Sequence, residues 1–415
     1  MSSTAPSPPL HTAPFWPLVI AAAAILVLTM GARQSLGLFI APLNAATGLG
    51  IASISLAFAV SQFVWGAAQP IYGALAERWG TRQVITVGAV LTTLGTAAAP
   101  FASSTGGLVF WIGIVAAAGA AGGSFAILIG GIARHLPEQR RAFATGFINA
   151  GSSFGQFVFA PLAQGLIGAF GWVSALLALA ASALLTIPLA WYLTTHTAVA
   201  AAAAGAHAAA IEAPALGAQL RRACRERSYL MLHLAFFTCG FHIAFLVTHL
   251  PGEVALCGLA PTVSASALAL IGLFNIAGSL SAGALSQRYR MKDVLMAMYG
   301  ARALIIAVYL LAPKTALTFY VFAAALGFTY LATVPPTAGL VGKIFGPRHL
   351  ATLFGLTLVT HQVGGFFGAW LGGVTISRYG DYTWMWYADI ALALFAVVCH
   401  LPIRETRPLA RSVTA

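Results

Sequence analysis

Three basic side chains stand deep inside long apolar stretches: Arg33, His242 and His361. An ionisable group at such depth in a bilayer is costly, so it marks a functional site by default. Arg33 lies roughly 18 residues into the first stretch, which at about 1.5 Å per residue is near mid-depth. A guanidinium there can grip a carboxylate through two parallel hydrogen bonds; the alternative is a side chain that snorkels outward or bonds carbonyls between helices. His242 follows Arg33 by 209 residues. A histidine in that place binds substrate, carries a proton, or ties two helices together. The same readings hold for His361, with Gln362 beside it as a neutral donor and acceptor. Gln34, Asn275 and Tyr330 complete the candidate substrate-binding set, and His242 and His361 are the candidates for proton coupling. Gln62, Gln69, Ser124, Asn149 and Gln156 are further neutral candidates, each equally readable as helix-packing contacts. His233 and His249 fall near opposite ends of their stretch and read as structural.

The elements that must hold these residues follow from composition. Of 415 residues, 60% are hydrophobic and 7% charged, against about 25% charged in soluble domains. Twelve runs are long and apolar enough to span a bilayer: 15–42, 52–77, 84–102, 107–133, 142–168, 172–194, 229–250, 262–287, 293–312, 316–342, 349–377 and 383–403. With the N-terminus inside, the inside loops and ends hold 17 of the 21 Lys and Arg, while the outside loops hold only Lys314 and Arg378. That asymmetry orients twelve spans with both ends cytoplasmic. It also explains the net charge of +12 without nucleic acid, because the charge is spread over short loops facing an anionic leaflet.

Other functions lack their motifs. No Walker loop or HExxH spacing is present, so neither an enzyme nor ATP drive is indicated. Cys224, Cys239, Cys257 and Cys399 show no CxxC spacing, and no disulfide, metal site or cofactor is expected. Residues 1–14 are rich in Ser, Pro and Thr and lack a basic n-region, so they read as a disordered cytoplasmic tail rather than a signal peptide.

The chain repeats itself. Gly73-Ala-Leu75-Ala-Glu77-Arg78-Trp-Gly80-Thr-Arg82 after the second run matches Gly283-Ala-Leu285-Ser-Gln287-Arg288 after the eighth, at an offset of 210 residues. Gly146 and Gly155 match Gly355 and Gly364 at an offset of 209. Two six-helix halves follow: 15–195 and 229–403, joined by a cytoplasmic loop, 196–228, and followed by a cytoplasmic tail, 404–415. The loop runs from an Ala-rich tract to the basic stretch Arg221 to Arg227 and reads as a solvated linker whose last part is helical; a surface amphipathic helix is the alternative.

The segment from Gly73 to Arg82 resembles the loop motif of the major facilitator superfamily, with Glu77 in place of the usual Asp and a degraded second copy. The resemblance covers essentially the whole chain. It implies an all-α membrane fold of twelve helices in two pseudo-symmetric halves, acting as a monomer. It gives Gly73, Glu77, Arg78, Gly80, Arg82 and Arg288 a gating role at the inside face. A narrower resemblance is to bacterial relatives of the monocarboxylate porters. It rests on Gly31-Ala32-Arg33-Gln34-Ser35, on Cys239 to Pro251 around His242, and on His361-Gln362 with Gly364 and Gly368. Those porters often carry Asp and Arg four residues apart in the eighth helix, where this chain has Asn275 and Ser279.

The acids fit an anion site. Nine carboxylates occur, and none lies in the middle of helices 1, 4, 5, 7, 8, 10 or 11, which line the cavity in that superfamily. Asp389 reads as interfacial or paired near the outer end of the twelfth helix, and Arg302 as packing in the ninth. Gly119, Gly122, Gly123, Pro335 and Pro336 mark close approaches or bends. The expected function is secondary transport of a small organic anion, a monocarboxylate, with a proton, by alternating access in a bacterial inner membrane. The alternative is an efflux pump for hydrophobic or drug-like compounds, which the aromatics Phe125, Phe154, Phe241, Phe274 and Phe328 would serve. A substrate sensor or non-transporting scaffold would carry a signalling domain, and none is visible.

Overall fold

The computed structural model describes residues 15–132, 138–203, 216–346 and 350–405. Arg134, Arg348, Arg407, Arg411, the N-terminal tail and the middle of the central loop lie outside the described residues. Those that are described form helices and the short connections between them, with no strand among them. The helices are α1 (Phe15–Thr47), α2 (Ile51–Trp79), α3 (Thr81–Phe101), α4 (Thr105–Ile132), α5 (138–170) and α6 (172–203). The second set is α7 (Arg227–Leu256), α8 (Pro261–Arg288), α9 (Met291–Leu311), α10 (Ala316–Phe345), α11 (Leu350–Tyr379) and α12 (Thr383–His400).

Ten described helical segments are long and apolar enough to cross a membrane. One of them, Ala144–Thr195, is 52 residues and doubles back at Gly171 (φ 81°, ψ 161°), a backbone conformation that costs glycine nothing. Its two legs are α5 and α6. Helix α11 is 30 residues but is not among the ten; the polar pair His361-Gln362 sits in its middle. Counting it and both legs gives twelve crossings. The Ala-rich tract carries α6 on to Ala203, past the run read from hydropathy, because alanine has the highest helix propensity. A short helix, Leu216–Ala223, precedes α7.

The repeat is visible in the packing. Helix α1 crosses α5 where Gly31 faces Gly155: a Cβ on Gly155 would lie 2.5 Å from the Val27 carbonyl oxygen. Helix α7 crosses α11 where Gly240 faces His361 and Gly364 faces Phe237, and a Cβ on either would overlap a carbonyl. Gly31 and Gly240, like Gly155 and Gly364, are 209 residues apart. Small residues let backbones meet in this way, which is how membrane helices gain packing energy without a hydrophobic drive between them.

The halves meet at mid-depth and on the side away from the chain ends. On the side away from the chain ends, Gly37 of α1 abuts the Val247 carbonyl of α7, and Gly373 of α11 abuts Ser55 of α2. At mid-depth Gly66 of α2 is covered by Gln362 of α11, and Asn275 of α8 donates to Ser153 of α5 at 2.7 Å. Towards the chain ends, Gly73, Gly146, Gly283 and Gly355 face open space. Among the described residues, Glu77, Arg78 and Arg288 are exposed and form no ion pair, while Arg82 lies 4.8 Å from the Trp191 ring of α6. Among these residues no contact between the halves is made on the side of the termini.

Candidate functional site

Helix α1 changes character just after Arg33. Its regular α-winding ends at Gln34, a 3-10 turn runs Leu36–Phe39, and α-winding resumes over Ile40–Thr47. Arg33 points from that junction at α2. Its Nη2 donates to Gln62 Oε1 at 2.6 Å and to the Ser61 carbonyl at 3.5 Å, and the guanidinium lies 4.6 Å from the centre of the Trp65 ring. Gln62 and Trp65 are three residues apart, hence on one face of α2. All these partners are neutral. Nε is buried without a partner among the described residues, so the cation keeps unused donors and has no counter-charge.

Other unpartnered polar groups gather nearby. His361 on α11 is 7% exposed, its ring lies against Phe236 at 4.9 Å, and neither ring nitrogen has a partner. Tyr330 on α10 is buried with its hydroxyl free of partners. Gln62, the partner of Arg33, packs against Gly365 of α11, four residues after His361. Gln362 packs over Gly66 at the α2–α11 crossing. Arg33, half-buried, brings the positive charge to this set, while the two ring nitrogens and the phenol lack bonds among the described residues. Buried polar groups are normally satisfied, so a cluster of unsatisfied ones is a place prepared for a polar guest.

The remaining predicted residues point elsewhere. Gln34 donates to the Ser152 carbonyl at 3.3 Å and to its hydroxyl at 3.4 Å, and so faces α5. His242 is 1% exposed and faces α12: Nδ1 is 2.7 Å from the Thr238 carbonyl and Nε2 is 2.8 Å from the Asp389 carbonyl. Asn275 is saturated by Ser153, by Ser279 and by the Leu331 amide, which donates to its Oδ1 at 2.8 Å. His233 bonds Thr360, and His249 bonds the Ala369 carbonyl, in line with structural roles.

Asn275 belongs to a brace around a break in α10. The helix stops at Thr329 and restarts at Val334, with Pro335 and Pro336 in its first turn. Breaking a helix inside a bilayer frees backbone groups that must find partners in the protein. Arg302 of α9 supplies them: Nη2 donates to the carbonyls of Thr329 and, at 2.9 Å, Tyr330. Cys239 of α7 contacts the Thr333 hydroxyl at 3.2 Å. The prolines signal this break in the sequence; Trp65, Cys239 and the brace itself were not anticipated.

Of the two readings of Asp389, interfacial or paired, the structure has the second: it is fully buried, and its carboxylate oxygens lack hydrogen-bond partners among the described residues. Its Oδ1 is 3.5 Å from His242 Nε2. Helix α12 packs against α7 and α9, and that contact covers the face on which Asp389 sits.

Comparison with known proteins bears on this arrangement. The family model described as the Major Facilitator Superfamily matches residues 22–316 and 256–414. Monocarboxylate transporter 13 of Rattus norvegicus is 28% identical over 381 residues, covering 89% of this chain and 84% of that protein. Monocarboxylate transporter 11 of Mus musculus is 37% identical over 175 residues, covering 42% of this chain and 39% of that protein. Among solved structures, a D-xylose–proton symporter superposes with a TM-score of 0.72 at 14% identity, covering 94% of this chain and 98% of the symporter. An inward-facing, occupied bacterial homologue of the lysosomal transporter Spinster gives 0.68 at 15% identity, covering 95% and 96%.

Proposed function

Because the chain belongs to the Major Facilitator Superfamily, we propose that this secondary transporter carries a small organic anion, a monocarboxylate, together with a proton. The observation that carries the reading is Arg33: a mid-depth guanidinium tethered only to neutral groups, with donors to spare and no acid beside it. A carboxylate arriving there would supply the missing counter-charge and accept two parallel bonds. His361 and Tyr330, unpartnered, would complete its coordination, with Gln362 at the rim. Relatives named as monocarboxylate transporters agree with that substrate class.

Alternating access would exchange an opening on the terminal side for one on the other side, the halves rocking about Arg33. Gly73, Glu77, Arg78, Gly80, Arg82 and Arg288 would then engage across the closing face. The excess of Lys and Arg in loops on the terminal side supports cytoplasmic termini in a bacterial inner membrane. A monomer suffices for this cycle.

The test is a thermal-shift titration of the purified protein with pyruvate, lactate, cationic amines and bulky apolar compounds, since a ligand that binds the folded state raises its stability by mass action. Stabilisation by carboxylates that disappears in Arg33→Gln is expected. Stabilisation confined to apolar or cationic compounds would replace this reading with efflux of drug-like molecules. The half-exposed Phe154 and Phe274 favour that second reading.

A further inference from the structure

Behind the broken helix lies a cluster that the anion site does not use. Asp389 is fully buried, and both carboxylate oxygens lack a donor among the described residues. A bare carboxylate so placed is prohibitively costly, and such a group holds a proton or a close counter-charge. The titratable and charged groups around it come from three neighbouring helices. His242 from α7 approaches to 3.5 Å. Arg302 comes from α9, with the Tyr299 ring 5.5 Å from its guanidinium. His361 from α11 packs across Gly240 of α7. Glu253 and Tyr309 bond each other at 2.6 Å further towards the end of α7.

The hydrogen bonds of His242 define the protonation that this geometry accepts. Both ring nitrogens face carbonyl oxygens, which only accept. A neutral imidazole has one N–H and can satisfy one of them; the doubly protonated ring satisfies both and sets a positive charge beside Asp389. Imidazolium with carboxylate, and neutral imidazole with carboxylic acid, hold the same number of protons, so one proton is shared by the pair. Its loss leaves neutral His242 and an anionic Asp389 with no donor. The remaining cation on these helices is Arg302, whose Nη2 is committed to the carbonyls of Thr329 and Tyr330 while Nε and Nη1 have no partner among the described residues.

We propose that Asp389 and His242 form the proton-binding site of the transporter, and that Arg302 links their protonation to the α10 break. With the proton bound, Arg302 braces the broken backbone beside Tyr330. When the proton leaves to water, Arg302 turns to the Asp389 carboxylate and the brace loosens, altering the anion site that Tyr330 borders. The inference rests on the anion-transport reading for its coupling, but the proton site stands apart from it.

Two measurements test this. Infrared spectra of the purified protein as pH is raised should lose a protonated-carboxyl stretching band. The band should be absent in Asp389→Asn and kept in Glu253→Gln. In proteoliposomes, one proton per anion and a gradient of one pH unit drive about tenfold accumulation of pyruvate, since about 1.4 kcal/mol is tenfold. Asp389→Asn should abolish that accumulation while exchange of labelled for unlabelled pyruvate persists. A titrating band that survives in Asp389→Asn, or unchanged accumulation, overturns the proposal. If the unaltered protein neither binds nor moves pyruvate, the anion reading fails, and the infrared arm still decides on Asp389. Should Asp389→Asn not fold, His242→Gln must shift the midpoint of the band; an unmoved midpoint overturns the shared site.

Discussion

Arg33 and His242 hold matching places in the two halves, and their surroundings could hardly differ more. Arg33 meets neutral partners and keeps donors free in the middle of the bundle. His242 is walled in by α12, with both ring nitrogens engaged and an acid behind it. The repeat thus preserves the backbone crossing at Gly31 and Gly240 but not what the neighbouring side chain does. One half presents a charge to the middle of the bundle; the other hides its charges behind a broken helix.

The contrast predicts separable effects of mutation. Arg302→Met removes the donor for two buried carbonyls, and should cost about 1–3 kcal/mol of stability for each acceptor left unsatisfied. A loss of melting temperature too small for that figure would mean that the brace is dispensable. Asn275→Ala strips the Leu331 amide and the Ser153 hydroxyl of their partner. It should cost about 1–3 kcal/mol and also loosen the closed side, seen as faster labelling of a cysteine placed at Ser55. Glu405→Gln weakens the carboxylate that accepts from the Met291 and Lys292 amides and pairs with Lys343 at 2.6 Å. A cap of this kind is worth about 0.5–2 kcal/mol. Smallest of all, Arg33→Met should change stability by under about 1 kcal/mol, because the cation it removes had no ion partner to leave stranded. A melting temperature that falls as far as in Arg302→Met would make Arg33 a structural brace and erase the distinction between the halves.

Much of the architecture was legible because the bilayer reads the same quantities as a sequence does. Apolar run length set the spans to within a few residues at most ends, and the pairing of Gly155 with Gly364 exposed the repeat. Depth was legible too, and it is what makes Arg33, His361, Gln362 and Tyr330 stand out in the sequence. Azimuth was not. Successive residues turn by about 100° around a helix, so Gln34, next to Arg33, faces α5 instead of α2. For His242 and Asn275, neighbours rather than depth decide the role, and those neighbours lie 147 and 122 residues away in the chain. The two readings of Asp389, interfacial or paired, stayed open for the same cause: distance from a helix end says nothing of what packs over the side chain. The α10 break left a trace in Pro335 and Pro336, whereas the arginine that makes it tolerable carries no local signal.

That brace also bears on how the protein is made. A hydrophobic segment with an unwound centre would be a poor candidate to enter lipid alone, since each exposed backbone group there costs several kcal/mol. Cys239, Asn275 and Arg302 all precede Tyr330 in the chain. As synthesis proceeds from the N-terminus, the helices carrying the three partners emerge before the segment that needs them. The order of insertion therefore protects α10: its defect is covered by neighbours already in the membrane, and a chain permuted to begin at α10 should insert that segment poorly.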